Sequence, residues 1–434
     1  MQRHIPAAGR QVQRDGAADA PRRAGDQGHR ARSGCLEGRG GGGHAFYNAV
    51  MARTTDVSSS RTGEPESVAS PLLPVLRRAI AEAGGWLAFD RFMALALYEP
   101  GLGYYANSSR KFGAMPTSGS DFVTAPELSP LFGRALAAQV AQALTASGST
   151  QVMEFGAGSG ALAEALLDAL DHSLDQSPGE ALTQYQIIDL SGVLRQRQQA
   201  RLARFGSRVR WLNTLPEVFD GVVLGNEVLD AMPVQLLHFD GAQWFERGVA
   251  VHGDGLAFAD RPTALRPPLD APYVPGTTTE IHAQAEAFMR TLAAMLRRGL
   301  TLFIDYGFPA AEYYLPQRHG GTLMCHQAHR ADGNPLVDVG AKDITAHVNF
   351  SGIALAAQDS GLEVLGYTSQ AHFLINCGLM ALLEPAPLAA RAAAQRLLNE
   401  HEMGELFKVL ACGRGLPPDF APLGFERGDR THRL

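Results

Sequence analysis

The chain has 434 residues, 45% of them hydrophobic, and a formal net charge of −6 with a sequence pI near 6.2. That length holds one large α/β domain with insertions, or two domains, and the acidic balance argues against a chain built to coat nucleic acid. No uninterrupted apolar run approaches the roughly 18 to 20 residues that span a bilayer, and the scattered Cys35, Cys325, Cys377 and Cys412 suggest neither a zinc site nor a disulfide framework. A reducing, cytoplasmic setting without membrane insertion is expected.

Residues 1–69 are rich in Gly, Arg and polar residues and include Gly40-Gly41-Gly42-Gly43, so they read as a disordered or non-structural segment. Order is expected to begin near Ser70, with one helix ended by Gly84-Gly85 and a second over Asp90–Tyr98. From Pro100 to Glu127 the chain becomes a long, glycine-punctuated, aromatic loop, of the kind that serves as a lid or binding wall. Residues 70–150 are thus read as a helical segment with a cover loop, ending in a helix opened by Pro130.

The stretch Gln151-Val152-Met153-Glu154-Phe155-Gly156-Ala157-Gly158-Ser159-Gly160 then reads as a buried strand, a turn free of β-carbons and a helix start. A ligand can lie directly on such a backbone, although a tight structural turn has the same pattern. The spacing is G-x-G-x-G rather than the G-x-G-x-x-G of dinucleotide sites, and Glu154 would repel a pyrophosphate while suiting a ligand with a cationic amino-acid end. A second strand, Tyr185–Asp189, ends in an acid placed to accept both hydroxyls of a ribose, or to cap the next helix.

Further strands are expected at Val209–Leu212, Gly221–Gly225, Gly299–Asp305 and Leu362–Tyr367. The fourth runs into Asn226-Glu227-Val228-Leu229-Asp230-Ala231-Met232-Pro233, which reads either as polar chemistry delivered to a crevice or as a capped helix. Residues 234–275 suggest an inserted β-hairpin lobe turning at Asp240-Gly241. A helix over Thr279–Arg297, a polar loop over Phe308–Val339, and helices over Pro385–Leu398 and Glu402–Leu410 complete the expectation, with 413–434 as a tail. His319, His326 and His329 in the polar loop lack regular metal spacing, so no metal site is expected. Alternating strands and helices imply an α/β fold with a mostly parallel sheet.

The glycine turn, the loop Gly119–Glu127, the Asn226–Pro233 segment, Asp305-Tyr306-Gly307 and Asp343-Ile344-Thr345-Ala346-His347-Val348 together resemble the MidA family of S-adenosylmethionine-dependent methyltransferases. The resemblance covers about residues 70–412 and implies a class I methyltransferase, a Rossmann-like seven-stranded sheet, over 151–412. It implies a donor site of Glu154, Gly156, Ala157, Gly158, Gly160, Asp189, Leu190 and Asn226, with Thr124 and Pro126 from the cover loop. Asn226, Glu227, Asp230 and His347 are the expected catalytic residues, acting on an arginine of a protein substrate such as a respiratory complex I subunit. Asp189, Ser120, Gly192 and Asn349 stand where the family often has Glu, Gly, Pro and Asp. Rival readings are a methyltransferase for a small molecule or another side chain, an S-adenosylmethionine-binding assembly factor without activity, and a nicotinamide-dependent dehydrogenase, which the glycine spacing disfavours.

Overall fold

The computed structural model describes residues 70–107, 123–174, 182–327 and 330–434. The expected disorder of residues 1–69 and most of the cover loop, 108–122, lie outside the described residues. All described residues fall within one unit, Ser58–Leu434.

Seven strands form the main path of the largest sheet: β1 Gln151–Phe155, β2 Gln184–Ile188, β3 Val209–Leu212, β4 Phe219–Asn226, β5 Leu296–Phe308, β6 Glu363–Ser369 and β7 Phe407–Arg414. They lie in the order β6-β7-β5-β4-β1-β2-β3, and an eighth short strand, Val348–Asn349, pairs with the end of β5. The path is parallel from β3 to β5, whereas β7 runs antiparallel to both of its neighbours. The strands β1, β4, β5 and β7 are buried on both faces, and side-chain parity divides them. Val152, Val222, Leu224, Leu302, Val409 and Ala411 face one core. Met153, Val223, Phe303, Leu410 and Cys412 face the other.

Two helices precede the sheet, α1 Leu73–Glu82 and α2 Phe89–Tyr98. The helix α3 Pro130–Ser147, with the Ser129 hydroxyl accepting the Leu131 N–H as its cap, packs with α4 Ala161–Leu174 on the first core, so it belongs with the sheet rather than with the N-terminal segment. The helix α5 Gly192–Leu202 follows β2, while α6 Ala283–Met295 and α7 Phe350–Asp359 cover the second face.

The inserted lobe is larger than a hairpin. Gln235–Phe239 and Trp244–His252 pair antiparallel around a turn in which Asp240 Oδ1 accepts the N–H groups of Ala242 and Gln243, both at 2.7 Å. Gly255–Pro262, Thr278–Ile281 and, from the N-terminal segment, Leu87–Ala88 complete a five-stranded sheet. The lobe therefore extends past residue 275, and α1, α2 and the preceding Leu72 pack on it, with Leu76, Phe89 and Phe92 in one core with Leu236 and Val249.

Three expectations are corrected. The helix expected from Thr279 starts at Ala283, because Thr278–Ile281 joins the lobe sheet, and it ends at Met295 where β5 begins. The polar stretch after Phe308 is not all loop: Met324–Gln327, Arg330–Asp332 and Asp343–Thr345 form a small antiparallel sheet. Residues 407–410 are not helical, since Phe407–Arg414 is the strand that fills the gap between β5 and β6, and only Met403–Leu406 precede it as a helical turn. A strand buried on both faces reads as a continuous apolar run, which carries no period to separate it from a helix. The segment after Arg414 folds back on the molecule, with Phe425 against Phe373 at 5.5 Å between ring centroids and Asp429 Oδ1 accepting the Tyr367 N–H at 3.0 Å.

Candidate active site

The carboxyl ends of β1, β2, β4 and β5 bring the candidate residues to one edge of the sheet, and the glycine turn opens it. Gly156, Gly158 and Gly160 have φ of 62°, 54° and 84°, a region that side chains with a β-carbon rarely adopt. A β-carbon on Gly156 would stand 3.1 Å from Val228 Cγ2, so the glycine turn and the turn after β4 touch. Glu154, 2% exposed, accepts the Tyr185 hydroxyl at 2.7 Å. Burial pushes its carboxyl up to about 8, and the Asp189 charge adds to the rise while the Tyr185 bond opposes it.

At the end of β2, Asp189 Oδ1 accepts the Ser191 N–H at 2.9 Å and Oδ2 accepts Gln198 Nε2 at 2.7 Å. The Gly158 N–H also donates to this carboxylate. A carboxylate has about four acceptor sites, so three donors leave room for about one ribose hydroxyl rather than the two expected. The capping role belongs to Ser191, whose hydroxyl accepts the Leu194 N–H, and not to Asp189. Leu190 is 78% exposed, an apolar side chain beside Asp189 on which a flat base can lie. Gln198, fully buried, joins the donor elements: its amide nitrogen also donates to the Gly158 carbonyl at 3.0 Å, and its oxygen accepts Trp211 Nε1 at 2.9 Å. These residues fit a nucleoside with a cationic amino-acid end: bare backbone at the turn, an acid and an apolar face for the nucleoside, and Glu154 at the end of β1.

The second group lies after β4. No helix forms over residues 227–233, so Asn226 is not a helix cap. Instead Asp305, at the end of β5, accepts on Oδ2 the N–H groups of Val228 at 3.1 Å, Leu229 at 2.9 Å and Asp230 at 3.2 Å. Glu227 sits in the left-handed region at φ 54°, a costly position for a residue with a β-carbon, and its N–H donates to the Ile304 carbonyl at 2.9 Å. Its carboxylate accepts the Asn226 amide at 2.9 Å and the Ala125 N–H. Burial and then the charge of Asp230 push Glu227 up to about 8.

Asp230, 5% exposed, takes the Tyr306 hydroxyl on Oδ2, while Oδ1 has no hydrogen-bond partner among the described residues. Burial raises Asp230 to about 6, with the Tyr306 bond opposing. The Ala346 N–H donates to the Asp230 carbonyl at 3.0 Å, which brings the Asp343–His347 segment to the same crevice. There Asp343 accepts the Tyr105 hydroxyl at 3.0 Å, and Tyr105 stacks on Tyr98, whose hydroxyl donates to the Ala231 carbonyl at 2.9 Å.

His347 lies edge-on to Tyr306 at 5.2 Å between centroids. Burial, aided by Arg318 and Lys408, lowers its imidazole to about 3, which makes it a weak proton acceptor. Thr124 and Pro126 flank Ala125 at the start of the short helix Ala125–Leu128, and Glu127 of that helix accepts both the Ser159 hydroxyl and Arg201 Nη1. Sequence reading did not find Gln198, Tyr98, Tyr105 or the Glu127–Arg201 pair, because each meets its partner only through the fold. Among the described residues no group of three or more His, Cys, Asp or Glu side chains is placed to hold a metal ion, and no helix is long and apolar enough to cross a membrane.

A seven-stranded sheet of this order with a glycine turn, an acid after its second strand and a polar turn after its fourth defines an S-adenosylmethionine-dependent methyltransferase. Residues 135–368 match the family model of S-adenosyl-L-methionine-dependent methyltransferases, and the chain belongs to that MidA-like family. A crystal structure from Burkholderia thailandensis bound to S-adenosyl-homocysteine is similar at 50% identity and a TM-score of 0.80, over 87% of this chain and all of that one. The mitochondrial protein arginine methyltransferase NDUFAF7 homolog of Drosophila melanogaster is 27% identical over 82% of this chain and 87% of its own length. NDUFAF7 of Danio rerio is 26% identical over 76% and 84%.

Proposed function

We propose that this methyltransferase acts on arginine of a protein, and that its acceptor resembles the quinone-site subunit of respiratory complex I, met in the cytoplasm. The observation that carries the reading is the pairing of Glu227 and Asp230 on one turn, in contact through Val228 with the glycine turn of the donor site. Forked guanidinium donors match carboxylates, and Asp230 Oδ1, without a hydrogen-bond partner among the described residues, gives one such donor a place. The names of relatives at 26–27% identity, protein arginine methyltransferases, support the same acceptor.

When bound, S-adenosylmethionine supplies an electrophilic methyl group on sulfur. The protein's part is placement and proton transfer. Asp305 holds the turn that bears both acids, and Asp230 holds the guanidinium. A guanidinium is almost always protonated, so a proton leaves as the new N–C bond forms, and Glu227 receives it. A carboxyl at about 8 matches that task near neutral pH better than an imidazole at about 3, which supports Glu227 over His347 as the acceptor.

The test is mass spectrometry of arginine methylation in the complex I quinone-site subunit, with and without this protein, alongside release of S-adenosylhomocysteine in cell extract. New methylarginine in that subunit is expected. Turnover that marks only a small molecule or another side chain would overturn the arginine reading.

A further inference from the structure

The short helix Ala125–Leu128 bridges the donor and acceptor halves of the site. At one end the Ala125 N–H donates to the Glu227 carboxylate. At the other, Glu127 Oε1 takes the Ser159 hydroxyl from the glycine turn and Arg201 Nη1 from α5, the latter at 3.2 Å. Arg201 also donates to Ser159 Oγ and pairs with Glu164 Oε2 of α4 at 3.4 Å. Two elements, the glycine turn and α5, thus converge on one carboxylate oxygen of the short helix. An ion pair whose members are 33% and 15% exposed contributes little to stability. Its geometric effect is larger, because it fixes the position of a four-residue helix whose first N–H rests on Glu227.

We propose that Glu127, Ser159 and Arg201 are positioning residues for methyl transfer: they fasten Ala125–Leu128 so that the Ala125 N–H holds the Glu227 carboxylate against the acceptor. The inference rests on the reading that Glu227 works on the acceptor. Glu227 is faced by Asp230 on its own turn, by Asp305 on β5 and by Asp343 on the strand Asp343–Thr345, all of which disfavour its charge. The Asn226 amide and the Ala125 N–H are the neighbours that favour it. Loosening the helix therefore misplaces Glu227 and makes its carboxyl harder to ionise.

The experiment compares Glu127→Ala, Glu127→Gln, Arg201→Ala and the double Glu127→Ala/Arg201→Ala variant in the full chain. Transfer of tritiated methyl from S-adenosylmethionine into the proteins of a fixed cell extract is followed against pH at saturating donor, with donor affinity by calorimetry and folding by thermal melting. Each alanine variant should lose about tenfold to a hundredfold in transfer rate, the scale of a misplaced reacting group. The rising limb of the pH profile should move to higher pH, and the rate loss should persist at saturating donor even where donor affinity falls through Thr124 and Pro126 of the same segment. The double variant should lose no more than the worse single one, because both act through one fastening. Glu127→Gln, which keeps the shape, should show a smaller loss and a smaller pH shift. A parental rate and pH profile at saturating donor, whether or not donor affinity falls, would overturn the inference, as would losses that follow only a reduced folded fraction. Full activity of Glu227→Gln would instead overturn the reading beneath it, so the two failures are told apart.

Discussion

The Tyr306 hydroxyl donates to Asp230 Oδ2, tying the end of β5 to the polar turn after β4. Its neighbour Asp305 holds the same turn from beneath through three backbone N–H groups. The segment Asp305-Tyr306 is therefore the frame on which the acceptor acids stand.

Tyr306→Phe removes the bond that favours ionised Asp230 and leaves the ring in place. The Asp230 carboxyl, now about 6, should rise, so the charged form that grips a guanidinium appears only at higher pH. The expected result is about a tenfold lower rate at neutral pH, partly recovered above pH 8, with donor affinity unchanged. A flat ratio of variant to parent rate across that range would show that the hydroxyl does not act through Asp230.

Asp305→Ala strips one acceptor from three N–H groups in a buried turn. Burial and then the Asp230 and Glu227 charges push the Asp305 carboxyl well up, so the loss is set by leaving buried N–H groups unpaired, about 1 to 3 kcal/mol each, and a net loss of about 3 kcal/mol is expected in denaturant unfolding, with activity lost as the turn relaxes. Stability within about 0.5 kcal/mol of the parent would mean that the turn is held by other contacts.

Much of the fold was legible because β1, β2 and β4 are short apolar runs ended by glycine or acid, a pattern that buried parallel strands share. β7 was not. Val409–Cys412 is apolar on both faces, and only its place between β5 and β6 decides that it is a strand. The donor turn was legible from Gly156, Gly158 and Gly160, since their conformation is a local property. The role of Asn226–Asp230 was not, because cap and crevice have the same letters. What separates them is Asp305, some 75 residues away in sequence, taking the N–H groups that a helix would have used.

Gly158→Val should abolish binding of S-adenosylhomocysteine. The position has φ 54°, and a branched side chain would stand on the backbone that the ligand needs. Calorimetry should show no heat of binding while circular dichroism keeps the parental signal. Retained affinity would remove the glycine turn from the donor site.

Glu227→Gln keeps the shape and the Asn226 contact but takes away the proton acceptor. Donor affinity should stay close to the parent's, while the methyl-transfer rate falls by about a hundredfold or more, the scale of lost general acid/base work. In the parent the rate should climb with pH towards a plateau above about 8, as the Glu227 carboxyl ionises, and this limb should vanish from the variant's residual activity. An unchanged limb in Glu227→Gln would assign the titration to another group.

Protein stability should carry the same signature without any acceptor. Glu154 and Glu227 are raised from the ordinary 4.5 to about 8, so the native state holds their protons where the unfolded chain has released them. Their contribution is fully present below 4.5 and is lost as pH rises through 8. His282 and His347 act oppositely, being lowered from 6.5 to about 4 and about 3, and their contribution is lost as pH falls below 6.5. Between the ordinary values of the two residue types the effects oppose each other. From 6.5 to 8 only the carboxyls among these four change their relative protonation, so the melting temperature should fall as pH rises through that window. Glu154→Gln, which cannot ionise, should flatten the fall without erasing it, because Glu227 still titrates. A melting temperature in the parent that holds constant or rises over the same window would mean that neither carboxyl is buried in its protonated form, and the assignment of Glu227 as a base poised near neutral pH would fall with it.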